Sequence, residues 1–188
     1  MLFAALAVSL ALKAGLFNIG VSGQMLTAGF IASITVGYAA SLPAPLAKLL
    51  VLLIGLAVGM LVGGLIGFLK HKFNINEVVS SIMLNYIAQY IIAFFINTKY
   101  VDPVSRQSKE VTDASRLTLM GTEVGDLKID IPLGIALAVI AAFLLRFLIQ
   151  RTTAGFEIKA VGASPKAAKY AGMNVGKNIV LTMMISGG

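Results

Sequence analysis

Residues 46–69 form the stretch LAKLLVLLIGLAVGMLVGGLIGFL, in which Lys48 is the only charged residue. The stretch exceeds the roughly 20 apolar residues that an α-helix needs to cross the hydrocarbon core of a bilayer. It is therefore predicted to be a membrane-spanning helix.

The composition of the whole chain agrees with this prediction. Hydrophobic residues make up 58% of the 188 residues, charged residues make up 12%, and the mean hydropathy is +0.91. A soluble domain of this size cannot bury so much apolar surface. The chain has no cysteine, which excludes disulfides and thiolate metal sites. We therefore predict an all-α, polytopic transmembrane helix bundle.

Four further apolar segments precede or follow this stretch, at residues 2–17, 25–42, 78–96 and 131–149. Asn76 is suited to cap the helix that begins near Val78, and Glu77 favours the positive end of its dipole. A last apolar run begins at Ile179. Because the chain starts and ends within apolar runs, we expect residues 1–188 to be a partial transmembrane domain, a fragment of a larger membrane protein.

Basic residues in the connections predict the orientation. Residues 70–76 carry Lys70 and Lys72, and residues 150–178 carry several lysines and an arginine against one acid, Glu157. The positive-inside rule places both connections in the cytoplasm, which makes residues 97–130 an external loop. Because the formal charge of +7 is spread over these connections, nucleic-acid binding is not expected.

Glycines recur at every fourth position of the long apolar stretch, at Gly55, Gly59, Gly63 and Gly67. This spacing puts them on one helix face, where another backbone can approach closely. The pattern predicts a helix-packing groove, and a groove beside a transport path is the alternative.

A polar stripe with the same spacing lies in the span at residues 78–96, at Ser81, Asn85 and Gln89. Amides are costly in hydrocarbon unless they are paired, so this face should point into the bundle or into a wet cavity. The stripe is a candidate substrate path, and interhelical hydrogen bonding is the alternative.

The stretch LFNIGVSGQM, residues 16–25, separates two short apolar segments. Irregular backbone at membrane depth is tolerated where it lines protein or water, so we interpret the stretch as a break in a discontinuous helix. Asn18 and Gln24 would then offer amides to a polar substrate. A plain cytoplasmic turn is the alternative.

A short helix is predicted at residues 164–171, within the cytoplasmic loop at residues 150–178. Ser164 suits the N-cap, Pro165 the first position, and Gly172 the end. Its exposed face should carry Lys166, Lys169 and Tyr170, with Ala168 near the middle. We interpret it as a docking helix for a cytoplasmic subunit, and a helix resting on its own bundle or at the lipid headgroups is the alternative.

No enzyme active site emerges from the sequence. His71 is the only histidine, and no phosphate-binding loop of the G-x-x-x-x-G-K-[ST] type occurs. Energy for any pumping would therefore come from an ion gradient or from another subunit, and no cofactor or metal is expected.

Three stretches resemble the membrane permeases of ABC importers, in the branch that serves nucleosides and simple sugars. They are GLFNIGVSGQM, NEVVSSIMLNYIAQY and GFEIKAVGASPKAAKYAGMN, which begin at Gly15, Asn76 and Gly155. The ribose and branched-chain amino acid permeases are more distant relatives of this branch.

The resemblance implies a multi-pass permease of a bacterial plasma membrane, in contact with membrane lipid. Its partners would be a second permease, a cytoplasmic ATPase and an external substrate-binding protein. A nucleoside is the first choice of substrate and a simple sugar the second. A secondary transporter or channel is the competing class, which would show ionisable residues within its spans.

Overall fold

The computed structural model describes residues 1–37, 43–100, 118–124 and 127–188. Short π-helical turns at Ser33–Gly37 and Ile96–Tyr100 extend the second and fourth α-helices. The prediction of an all-α membrane bundle is confirmed. The helices are α1 Leu2–Lys13, α2 Val21–Ala32, α3 Ala44–Phe73, α4 Glu77–Phe95, α5 Leu133–Arg151, α6 Thr153–Ala163, α7 Pro165–Tyr170 and α8 Val175–Gly187.

Three of these helices are long and apolar enough to cross a membrane: Pro45–Phe73, Glu77–Thr98 and Gly134–Arg151. The helices Leu2–Lys13 and Val21–Gly37 are apolar but shorter. Asn76 caps α4 as predicted, because its side chain accepts a hydrogen bond from the Val78 backbone N–H at 2.8 Å.

A β-hairpin precedes α5, within the segment for which the sequence predicted an external loop. Strand β1, Thr118–Val124, pairs antiparallel with β2, Leu127–Pro132. The ladder shifts register between Leu119 and Thr122. Residues 101–117 and 125–126 of the predicted loop lie outside the described residues.

The closest helix pair is α3 with α8, and glycines make the approach possible. The two helices run antiparallel, with Gly187 beside Gly59 and Met183 beside Gly63. A methyl group at either α3 position would overlap a backbone carbonyl of α8, so only glycine fits. Gly67 lies against Val180 in the same way, whereas a methyl group at Gly55 would meet no described atom within 4 Å.

Four helices meet in the core, at the end of the bundle where α3 connects to α4, here called the α3–α4 end. His71, near the end of α3, packs directly on Gly176 at the start of α8.

The basic connection at 150–178 is largely helical. It contains α6, which the sequence did not predict, and α7. Buried residues from α1 and its exit, α3, α6 and α8 form the cluster Ala11, Ala14, Leu16, Ile66, Ile158 and Met183.

Candidate functional site

The polar stretch after α1 forms an irregular connection that is packed into the bundle. Residues 14–20 have no α-helical assignment, and α2 begins at Val21. Gly15 has a φ of +68°, a conformation that strongly favours glycine, and it packs against the Gly162 backbone of α6. Leu16 and Asn18 are buried, so side chains of the connection itself pack inside the bundle.

Asn18 is the centre of a buried polar network. Its Nδ2 donates hydrogen bonds to Ser186 Oγ at 2.8 Å and to Gln24 Oε1 at 3.3 Å. Its Oδ1 accepts from the Gly20 backbone N–H at 2.9 Å. The exposed fractions of Asn18 and Gln24 are 1% and 3%. Both amides, predicted to face a substrate, are therefore bonded to protein in this conformation.

Ser186 of α8 connects this network to α1. Its hydroxyl accepts from Asn18 and donates to the Ala7 carbonyl oxygen of α1 at 2.8 Å. The sequence does not single out Ser186, because it lies within the final apolar run. The small residues Ser186, Gly187 and Gly188 could have marked a close helix contact.

Asn85 joins α4 to the irregular connection and to the first turn of α2. Its Oδ1 accepts from the Gly23 N–H at 2.9 Å, and its Nδ2 donates to the Ile19 carbonyl oxygen at 3.0 Å. Asn85 lies eight residues beyond Glu77, or about 12 Å along the helix axis at 1.5 Å per residue. The connection therefore runs alongside the body of α4, which favours a break within the bundle over a turn at its surface.

The three residues of the predicted polar stripe have three different environments. Asn85 bonds the connection, whereas Gln89 is exposed. Ser81 is fully buried, and its Oγ is the only buried side-chain polar atom in the described parts of the chain without a hydrogen-bond partner. The stripe therefore does not form one continuous polar surface in this conformation.

Helix α7 occupies the residues for which a short helix was expected. The Ser164 Oγ accepts from the Ala167 N–H at 3.3 Å, Pro165 is the first helical residue, and Gly172 has a φ of +80°. Lys166 and Lys169 are exposed, and Tyr170 is 93% exposed.

Ala168 does not belong to this exposed face, which corrects its place among the docking residues. It is only 3% exposed and lies on the side of α7 that is packed against the rest of the protein. A bulky charge at this position would disturb the packing of α7 as well as any partner contact.

Helix α7 is anchored through its neighbours α6 and α8. The Glu157 Oε2 of α6 accepts a hydrogen bond from Asn178 Nδ2 of α8 at 2.7 Å. The Ala168 carbonyl oxygen accepts from the Met173 N–H at 3.0 Å, which closes the turn into α8. The sequence shows Glu157 only as a single acid in a basic connection and does not predict this pairing.

The whole chain, residues 1–188, matches the family described as branched-chain amino acid transport system, permease component. The chain belongs to this family. No solved structure matches the chain significantly.

Three curated proteins illustrate the similarity of this permease chain. The guanosine ABC transporter permease protein NupP of Bacillus subtilis is 39% identical over 97% of the chain and 52% of its own length. The nucleoside ABC transporter permease protein NupB of Lactococcus lactis is 34% identical over 100% and 53%. The glucose ABC transporter permease protein TsgB13 of Haloferax volcanii is 32% identical over 93% and 47%. The chain thus spans about half the length of these relatives.

The relatives are named as ABC transporter permease proteins. The apolar helices of this permease chain agree with an integral membrane protein. Within the described residues, no group of three or more histidine, aspartate or glutamate side chains could hold a metal ion.

Proposed function

We propose that the chain is part of the permease subunit of an ATP-driven nucleoside importer in a bacterial plasma membrane. The observation that carries this proposal is the similarity over nearly the whole chain to two permeases named for guanosine and nucleosides. A simple sugar is the second candidate substrate, because a glucose permease is 32% identical.

The α3–α4 end of the bundle would face the cytoplasm, where α7 would contact a separate ATPase subunit. The exposed face of α7 carries Tyr170 beside Lys166 and Lys169, and tyrosine is enriched among the residues that contribute most to protein interfaces. A second permease and an external substrate-binding protein would complete the importer.

The contacts of α6 suggest how movement of α7 would reach the transport path. Gly162 of α6 packs against the backbone at Lys13 and Ala14, directly before the irregular connection. A shift of α6 and α7 during the ATPase cycle would therefore displace the connection and, through it, Asn18. This displacement would alternate which side of the bundle is open.

The substrate path would run along the interface of the irregular connection with α4. Gln89 is exposed and would face such a path. Ser81 is buried, and its hydroxyl has no hydrogen-bond partner. Asn18, Gln24 and Asn85 already bond protein groups, so a substrate reaching them would have to replace those bonds. The alternative role of these amides is to hold the connection in place.

The test is uptake by the full-length permease, reconstituted with its partner subunits in proteoliposomes. We expect guanosine to accumulate when ATP is supplied to the ATPase, and glucose to accumulate far less. Accumulation driven by an ion gradient without ATP would contradict the proposal and favour a secondary transporter. Preferential uptake of glucose would overturn the substrate assignment alone.

A further inference from the structure

A groove runs between α1 and α5. Near the α3–α4 end it forms a cavity of about 330 Å³, bounded on the third side by α6. Residues spaced by three and four line it on both α1 and α5, within Leu6–Lys13 and Ala142–Ile149. The cavity is therefore formed by two regular helix faces.

Three cations converge on this cavity from three different helices: Lys13 of α1, Arg146 of α5 and Lys159 of α6. Ser9 and Gln150 are its other polar lining residues, and no carboxylate lines it. Within the described chain none of the three cations forms a salt bridge. The Glu157 carboxylate of α6 is bonded to Asn178 of α8 instead.

The groove continues away from the cations as an almost entirely apolar surface. A second cavity of about 320 Å³ shares Leu6, Ser9 and Ala142 with the first and extends to Leu2 and Ala138. From Lys13 to Leu2 the groove is about 17 Å long at 1.5 Å per residue. This length matches the roughly 15 Å of hydrocarbon in one leaflet.

We propose that this groove binds one anionic phospholipid of the cytoplasmic leaflet. The phosphate would lie among Lys13, Arg146 and Lys159, and one acyl chain would follow the apolar surface towards Leu2. Basic residues at the cytoplasmic ends of spans commonly extend singly to the headgroups. Here three basic residues line one cavity, and the cavity opens into a groove about as long as one leaflet is thick. This arrangement fits an anionic lipid.

The experiment measures lipid retained by the full-length permease in its complex after reconstitution. The vesicles contain equal amounts of phosphatidylglycerol and phosphatidylcholine, and lipid bound to the purified complex is counted by native mass spectrometry. We expect phosphatidylglycerol to be enriched well above fivefold, because a single basic contact with an anionic headgroup already gives about fivefold. Removing two cations with Lys13→Gln and Arg146→Gln should reduce the enrichment to about the fivefold that Lys159 alone provides.

Two matched variants separate a specific site from general charge. Lys72→Gln with Lys177→Gln removes the same two charges from exposed positions outside the groove and should keep the enrichment. Ala142→Trp fills the groove without changing charge and should abolish the enrichment. Thermal unfolding and copurification of the subunits check that each variant still assembles.

Several results would overturn the proposal. Phosphatidylglycerol retained only in its bulk proportion would mean that another part of the permease, or no lipid, occupies the groove. Equal losses in the two charge variants would mean nonspecific attraction. Competition by glycerol 3-phosphate, which has the phosphate without acyl chains, would mean that the cations bind a soluble anion.

Discussion

At the scale of single residues, the hydroxyl of Ser186 connects Asn18 to α1. Asn18 Nδ2 donates to Ser186 Oγ, and that hydroxyl donates in turn to the Ala7 carbonyl oxygen. Asn18 and Ser186 are both buried, so water cannot readily replace a lost partner. These side-chain hydrogen bonds therefore help to hold the irregular connection in place.

The first prediction follows from this network. Ser186→Ala removes the nearer of the two acceptors of the Asn18 amide and the side-chain donor to the Ala7 carbonyl oxygen. We expect a loss of about 1–2 kcal/mol in the free energy of unfolding. Thermal unfolding in detergent measures the loss. Ser22→Ala is the control, because Ser22 is exposed in the same region. Equal stability of the two variants would contradict a structural role for Ser186.

At the scale of elements, α3 and α8 depend on glycines at defined positions. The α3 glycines at Gly59, Gly63 and Gly67 meet α8, whereas Gly55, in the same repeat, does not. The repeat indicated a packing face, but only the position of α8 shows how far along α3 the contact extends.

The second prediction compares two positions of this repeat. Gly63→Ala places a methyl group against the Met183 carbonyl and should destabilise the protein by about 1–3 kcal/mol. Gly55→Ala meets no described atom within 4 Å, and alanine favours helix, so it should be neutral or stabilise by up to about 1 kcal/mol. The denaturation midpoints of the two variants, compared with that of the unmodified protein, measure these changes in stability. A larger loss for Gly55→Ala would show that its face carries the more important contact.

Helix α7 provides the third prediction, on coupling. Tyr170→Ala and Lys169→Glu change only its exposed face, so the fold should stay intact while substrate-stimulated ATP hydrolysis falls severalfold. Tyr170→Phe keeps the ring and should retain most of the stimulation. Lys72→Glu, an exposed charge reversal on α3, is the control for Lys169→Glu.

Ala168→Glu should behave differently from these surface variants. Because Ala168 is buried, the variant should lower the unfolding midpoint as well as the coupling. Normal hydrolysis and assembly in Tyr170→Ala and Lys169→Glu together would refute the docking role of α7.

At the scale of the whole molecule, the two basic connections lie at one end of the bundle. His71 and Gly176 touch across them, as expected for two connections separated by two spans. Helix α4 starts at this end and α5 finishes there, so the hairpin before α5 belongs to the opposite end.

The fourth prediction concerns orientation in the membrane. Because the chain lacks cysteine, single cysteines can report sidedness once any in the rest of the permease are replaced. Lys72→Cys and Lys166→Cys should react with membrane-impermeant reagents from the cytoplasm only, and Asn97→Cys from outside only. The opposite pattern would reverse the proposed topology and move α7 out of reach of a cytoplasmic ATPase.

The spans, the Asn76 cap and the position of α7 could be predicted from the sequence alone. Hydropathy, helix period and capping depend on residues a few positions apart, so they can be recognised without knowing the tertiary structure. The hairpin and α6 were not anticipated, because polar segments of mixed composition carry no strong period.

The contacts between residues far apart in the sequence could be known only from the tertiary structure. Asn18 and Ser186 are 168 positions apart, and the sequence gives no sign that one hydroxyl serves the other amide. The same holds for the burial of Ala168 and for the convergence of Lys13, Arg146 and Lys159 on one cavity. These contacts depend on how the helices pack, and packing is set by the surfaces of several helices at once rather than by any local pattern.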